Sequence, residues 1–265
     1  MKYGFIGTGN MGSALARAAA QAIDPQDILL SNRTVDKAVL LSDQIGGCVA
    51  DNKTIARSCD CIFLGVKPQM MADLLHTLQG DLAARERAPL LISMAAGLSI
   101  ADIRYMAGGN YPTVRIMPNT PCAIGAGLTL YACSDDVPPE LEDAFLLAMS
   151  HSGRLEPLEE HLIDVGSAVA GCGGAYVCLF LEALADGAVA CGLPRDKARR
   201  FAAQMMKGNA ELALQSGEHT AQLKDAICSP GGTTIAGVRA LEEGGFRAAA
   251  MNAVIAAYER TAKLK

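Results

Sequence analysis

The first twenty residues, MKYGFIGTGNMGSALARAAA from Met1 to Ala20, decide the fold. Lys2–Ile6 is a short apolar run that breaks on a glycine. Gly7-Thr8-Gly9-Asn10-Met11-Gly12 then follows the spacing G-x-G-x-x-G, and an alanine-rich helical pattern takes over from about Ser13 to Ala22. Strand, glycine turn and helix, in that order, predict the opening of a dinucleotide-binding βαβ unit. Each glycine has a task there. The first permits the tight turn, the second lets a pyrophosphate approach the backbone, and the third lets helix and strand close together. The helix start adds free N–H groups and the positive end of the helix dipole. Ile6, Gly7, Thr8, Gly9, Asn10, Met11 and Gly12 are therefore the residues expected to meet a cofactor in this turn.

Outward from this unit the chain alternates. Ile28–Ser31, Cys48–Ala50, Cys61–Val66 (CIFLGV), Leu90–Ala96 (LLISMAA), Val114–Met117 and Leu128–Ala132 are β-like runs, with helical patterns between most of them. Continuous apolar runs suit strands buried on both faces, so residues 1–155 are expected to form an α/β Rossmann-type domain: a parallel, doubly wound sheet. After about Glu156 almost no β-like run remains. Helical patterns fill Glu159–Val169, Ala175–Cys191, Arg195–Gln215, Thr220–Ile227, Thr234–Glu243 and Phe246–Lys263, so residues 156–265 are expected to be an all-α domain.

Cofactor choice is read at the end of the second strand. NAD-binding sites usually place an acid there. This chain has Ser31-Asn32-Arg33-Thr34 instead, a cation flanked by short polar side chains that suits a 2′-phosphate. NADP(H) is the expected cofactor and NAD(H) the alternative, with Ser31, Asn32 and Arg33 at the adenosine end and Asn52 beside them. Ligands bind at the carboxyl ends of strands in such sheets. Val66, Lys67 and Pro68 after CIFLGV, and Ala95, Ala96 and Gly97 after the next strand, should therefore border the cofactor. So should Asn119, in MPNTP (Met117 to Pro121).

A second glycine turn lies far downstream, in SPGGTT from Ser229 to Thr234. Pro-Gly marks a turn, and adjacent glycines gather backbone N–H groups into an anion nest at a helix start. No strand leads into it, so a small carboxylate suits it better than a second dinucleotide.

Composition narrows the field. The 265 residues are 51% hydrophobic and 19% charged with a formal net charge of -5, enough for a core and unsuited to nucleic acid or an anionic membrane. The N-terminal apolar run is too short for a secretion signal. The most apolar long segment, Ala175–Gly192, carries Glu182 and Asp186, which points to a helix within the protein or a subunit interface rather than a membrane span. Nine scattered cysteines indicate reduced thiols and a cytoplasmic setting. Cys59 and Cys61 have no matching second pair, and no HExxH or clustered His/Cys set occurs, so no metal is expected. The histidines at 76, 151, 161 and 219 read as surface residues. Reduction of a protonated imine needs orientation more than a strong base, which fits this inventory.

The segments FIGTGNMG, VKPQ, AAG, RIMPNTPCAIGAG, FLEALADGAVACGLPR and LKDAICSPGGTTIAGVRALE resemble, in order and spacing, those of the pyrroline-5-carboxylate reductase family. The resemblance covers essentially the whole chain. It implies reduction of 1-pyrroline-5-carboxylate to L-proline with NAD(P)H, the last step of proline biosynthesis. It also implies a homodimer built through the C-terminal helices, with further assembly commonly to decamers. By match, Ser229, Gly231, Gly232 and Thr233 would hold the substrate carboxylate, and Thr234 would also contact the substrate. The Thr234 hydroxyl would act catalytically near the imine nitrogen, and Glu160 would lie on the substrate side. The chain departs from the family at Cys172 and Gly174, where many relatives have serine and proline, and at Ala226, where many have a polar residue. Two other readings of the same two-domain plan are a hydroxyacid dehydrogenase, with Lys207 and Asn209 as candidates, and a non-catalytic NADP-binding sensor.

Overall fold

The structure, a computed structural model, describes residues 1–263. The chain begins β1 (Tyr3–Ile6), α1 (Asn10–Ala19), β2 (Ile28–Ser31), α2 (Val35–Ile45) and β3 (Cys48–Val49). It continues α3 (Asn52–Ser58), β4 (Cys61–Leu64), α4 (Pro68–Ala83), β5 (Leu90–Ser93), α5 (Ile100–Ala107) and β6 (Thr113–Met117). These strands pair in the order β3-β2-β1-β4-β5-β6, all parallel, with Tyr3 opposite both Ile28 and Cys61. This is the doubly wound order, in which the strand sequence reverses between β1 and β4.

Alternation along the strands builds a core on each face. Phe5, Phe63 and Ile92 point to the side of α1 and α2, where Leu15, Leu30 and Leu41 join them. Ile6, Ile62, Leu64 and Leu91 point the other way, onto Ile55, Met71, Leu75 and Ile103. Phe5 and Phe63 stack across β1 and β4 with ring centroids 4.4 Å apart.

The sheet departs from the all-parallel expectation beyond β6. β7 (Gly127–Cys133) runs antiparallel to β6, with Arg115 opposite Ala132. The reason is the connection. Residues 118–126 hold only a 3-10 turn, Thr120–Ile124, and a parallel crossover needs a dozen or more residues. α6 (Pro139–Met149) then crosses over to β8 (Gly153–Pro157), which pairs parallel with β7 and completes an eight-stranded sheet. β8 reads GRLEP and is partly exposed, so it lacks the apolar signature of the other strands. Charged side chains on such an outer strand also discourage edge pairing.

The chain forms two compact units: Met1–Gly171 with the segment from Ala257 onward, and Cys172–Ala256. The division falls later than the 155/156 boundary expected from sequence. The helical texture does begin after β8, but α7 (Ile163–Ala170) stays on the sheet. Ile163 is fully buried with Met117 and Leu130. A side chain on Gly166 would lie 2.5 Å from a methyl of Leu130, so glycine there lets α7 sit close on β7. Arg115 of β6 pairs with Asp164.

The second unit is helical: α8 (Gly173–Ala190), α9 (Arg195–Ser216), α10 (Thr220–Ile227), α11 (Thr233–Glu243) and most of α12 (Phe246–Ala262). α8 lies along α9, Tyr176 donates to the Ala253 carbonyl at 3.2 Å, and the Phe180 and Phe246 rings are 5.3 Å apart. Its apolar side chains are largely uncovered: Leu179 is 69%, Leu214 75% and Met251 61% exposed. The stretch Glu160–Ala190 is long and apolar enough to cross a membrane by length and composition alone. It is divided into α7 and α8, and it carries Asp164 and Asp186, each paired with an arginine.

Cys59 and Cys61 are fully buried, and burial pushes their thiols up to about 11 and about 12. A thiol raised in this way carries almost no thiolate near neutrality. Both should therefore resist dithionitrobenzoate at pH 8 in the native protein and react once it is unfolded. Native labelling of either, mapped by peptide mass spectrometry, would contradict the packing of β4.

Candidate active site

The first glycine turn is shaped by close backbone approach. Gly7 has a φ of +98°, and a side chain on it would meet the Gly65 carbonyl at 2.6 Å. A side chain on Gly12 would lie 2.1 Å from the Gly7 carbonyl, so α1 starts hard against the end of β1. Gly9 is different: a side chain there would touch nothing within 4 Å, so the turn opens outward at its middle glycine. Gly9 caps α1 without a side-chain hydrogen bond, and the first turn of α1 holds no acid. The Asn10, Met11 and Gly12 amides thus face an uncapped helix start. Beside them the Thr8 hydroxyl is buried, 3% exposed as a residue, with no hydrogen-bond partner. A buried orphan donor, an open glycine and a bare helix start fit a phosphate group.

The adenosine end is pre-tied. The Thr8 amide donates to Asn32 Oδ1 at 3.1 Å, and Asn32 Nδ2 donates to the Thr34 carbonyl at 3.0 Å. The Ser31 hydroxyl donates to Asn52 Oδ1 at 2.6 Å. Asn52 opens α3, whose cap Asp51 accepts from the Thr54 amide at 2.6 Å; that bond lowers the Asp51 carboxyl below its usual range. Arg33 is exposed and makes no ion pair among the described residues.

The other strand ends lie on the same carboxyl edge. Val66 follows β4, Lys67 caps α4 and Pro68 is its first residue. Ala95, Ala96 and Gly97 follow β5, with Gly97 turning at a φ of +79°.

Asn119 follows β6, and its carboxamide is used in both directions. Nδ2 donates to the Ala170 carbonyl at 3.1 Å, and Oδ1 accepts from the Leu128 amide at 2.9 Å. It joins the β6 end to β7 and to the last residue of α7. Glu160 is also engaged. Its Oε1 accepts from the Ile100 amide at the start of α5 at 2.6 Å and lies 3.8 Å from Arg115. Sequence reasoning had missed this Arg115–Asp164–Glu160 group. An arginine inside an apolar strand, VRIM, was its one visible signal.

The second turn stands in the helical unit. Gly231 has a φ of +68°, and the Gly232 amide closes the turn on the Ser229 carbonyl at 3.0 Å. Gly232 caps α11 without a side-chain hydrogen bond, and its first turn, Thr233 and Thr234 included, again holds no acid. Ser229, Gly231, Thr233 and Thr234 are exposed. The two turns therefore share one chemistry, free amides with nearby hydroxyls, on separate units. His219 is occupied as the cap of α10, its Nδ1 accepting from the Ala221 amide at 3.2 Å. Asn209 bonds back to the Met205 carbonyl of its own helix. Among the described residues no group of three potential metal ligands gathers.

A doubly wound sheet with a glycine turn and an uncapped helix start after its first strand, joined to a helical unit, fits a nicotinamide-dependent oxidoreductase. Residues 2–97 match a family model described as NADP oxidoreductase, coenzyme F420-dependent, and residues 160–264 match one described as pyrroline-5-carboxylate reductase dimerisation. The pyrroline-5-carboxylate reductase of Escherichia coli (strain K12) is 39% identical over 266 residues, covering 99% of this chain and 98% of that protein. The Plasmodium falciparum pyrroline carboxylate reductase, solved with NADP bound, superposes with a TM-score of 0.87 at 34% identity, over 99% of this chain and 97% of that one. The Coxiella burnetii pyrroline-5-carboxylate reductase gives 0.89 at 31% identity, over 100% and 98%. The chain belongs to the pyrroline-5-carboxylate reductase family.

Removing the Asn119 carboxamide leaves the Leu128 amide and the Ala170 carbonyl without that partner. Asn119→Ala should lower stability by about 1–3 kcal/mol in urea denaturation. An unchanged midpoint would show that this tether carries no weight.

Proposed function

We propose that this chain reduces 1-pyrroline-5-carboxylate to L-proline with NADPH, the last step of proline biosynthesis. The observation that carries the proposal is the pair of uncapped, acid-free helix starts, each opened by glycine, one on each unit. The reaction needs two anion sites, one for a dinucleotide pyrophosphate and one for a substrate carboxylate.

The turn Ile6–Gly12 holds the pyrophosphate, with the orphan Thr8 hydroxyl as an added donor. Ser31, Asn32, Arg33 and Asn52 line the adenosine end. Val66, Lys67, Pro68, Ala95, Ala96, Gly97 and the Asn119 loop border the nicotinamide side. Bound NADPH supplies the hydride, which goes to the C=N carbon of the protonated imine; the nitrogen keeps its proton and becomes the ring amine of proline. The chain's part is to orient. Ser229, Gly231, Gly232 and Thr233 take the carboxylate on amides and hydroxyls. The Thr234 hydroxyl hydrogen-bonds at the imine nitrogen, where positive charge disappears as the C–H bond forms. Such placement replaces a strong acid or base. Glu160 acts on the substrate side through the α5 start that it caps.

The uncovered apolar side chains of the helical unit support a homodimer through these helices, with assembly to a decamer as its extension. Nine cysteines, none in a disulfide among the described residues, support a cytoplasmic enzyme.

The direct test is NADPH oxidation on addition of pyrroline-5-carboxylate, with proline identified as product. Thr234→Ala should lower kcat by about 10- to 100-fold while NADPH affinity stays within about twofold. An unchanged kcat would remove Thr234 from the mechanism.

A further inference from the structure

The turn after β5 carries Ala95, Ala96 and Gly97, and it is weakly tied to itself. The Met94 amide reaches the Leu64 carbonyl at 3.5 Å, the Ala95 amide reaches Ser93 Oγ at 3.3 Å, and the Leu98 amide reaches the Ala95 carbonyl at 3.5 Å. Bonds of that length hold loosely. The two residues that follow are held firmly. Ser99 and Asp102 cap α5 reciprocally, with bonds of 2.8 Å and 3.1 Å. The Ile100 amide, first of the helix, donates to Glu160 Oε1 at 2.6 Å. Glu160 lies 60 residues further along the chain, so this brace comes from outside the β5–α5 segment. A carboxylate is also the group that a helix start favours.

Glu160 is itself held. The same Oε1 lies 3.8 Å from Arg115 Nη1, and Arg115, 3% exposed, also pairs with Asp164 on α7. Arg115 belongs to β6, the strand that ends at Met117 and leads to Asn119. Ile100, Met117 and Ile163 share one apolar cluster, and Ala96 packs on it. The Arg115–Glu160 pair thus joins two strand ends, β6 directly and the turn after β5 through Ile100. We propose that Glu160, oriented by Arg115, is a positioning residue: it seats the Ala95–Gly97 turn against the β6 end and so orients the nicotinamide, without touching the substrate. The proposal rests on the reading of this edge as the nicotinamide border. A misplacement of about 1 Å in such a support costs on the order of 100-fold in rate.

The test compares Glu160→Ala, Glu160→Gln, Arg115→Lys and the Glu160→Ala/Arg115→Lys double variant. Glu160→Ala should lower kcat at least about tenfold, with the KM for pyrroline-5-carboxylate within about twofold. Glutamine keeps an oxygen for the Ile100 amide, so Glu160→Gln should recover kcat to within about threefold of the unsubstituted enzyme. Without substrate, the fluorescence anisotropy of bound NADPH, which reads the nicotinamide, should fall in Glu160→Ala and recover in Glu160→Gln. The Kd of 2′,5′-ADP, which has no nicotinamide, should stay within about twofold. Arg115→Lys keeps a cation but not a fork that spans two carboxylates. Its effect on anisotropy should add nothing to that of Glu160→Ala in the double variant. A raised KM for pyrroline-5-carboxylate at unchanged kcat would make Glu160 a substrate contact and overturn the assignment. So would unchanged anisotropy, equal losses in the alanine and glutamine variants, additive losses in the double variant, or a lost affinity for 2′,5′-ADP, the mark of a general collapse. If anisotropy responds as stated and the unsubstituted protein fails to reduce pyrroline-5-carboxylate, the catalytic reading falls and the positioning role stands.

Discussion

The constraint on which the first unit depends is the approach of backbone to backbone at Gly7, Gly12 and Gly65. Any side chain at these three positions would enter the carbonyl of Gly7 or Gly65. Only because none is present can β1 and β4 end side by side while α1 starts directly above them. That junction is the point where strand order reverses, the place where doubly wound sheets bind ligands at their carboxyl edge. The same closeness keeps the first amides of α1 from finding protein acceptors. The turn is tight at Gly7 and Gly12 and open at Gly9, where a side chain would touch nothing.

A second fastening ties α7 and the start of α5 to β6. Arg115 is buried on β6 between Asp164 and Glu160, and its Nε has no hydrogen-bond partner. A buried ion group of this kind adds little net stability against an apolar replacement, but it fixes where its members sit. Arg115 holds the start of α7, Asn119 holds its last carbonyl, and Glu160 holds the start of α5. The chain leaves the first unit at Gly171, one residue past the Asn119 tether. These polar contacts fix the departure point alongside the apolar seating of α7 on β7.

Much of this was legible in the residues, and the misses have physical reasons. FIGTGNMG, CIFLGV and LLISMAA read correctly because buried parallel strands must be apolar on both faces. β8 was missed because GRLEP is an edge strand whose charged residues keep one flank in water. The antiparallel β7 was misread because a β-like run carries no direction; only the short connection before it does. The boundary at 155 marked where strands stop, whereas the unit ends where α7 leaves the sheet. Asn119 was placed near the cofactor by its strand-end position, and no sequence pattern could reveal that its carboxamide is engaged by Leu128 and Ala170.

The helical unit shows the complementary limit. Its α8 is as apolar as a core helix, yet Ala185, Ala198 and Ala202 are the unit's only buried hydrophobic residues among those described. Leu179, Phe201, Leu214 and Met251 stay open to water. Helices with this composition lose much of their driving force to fold when no surface covers them. The dimerisation family match over 160–264 supplies the cover, and with it a consequence for the second glycine turn. SPGGTT depends on α11 starting at Gly232, and none of α11 is buried within a single chain. The stability of that helix start is then coupled to protomer concentration.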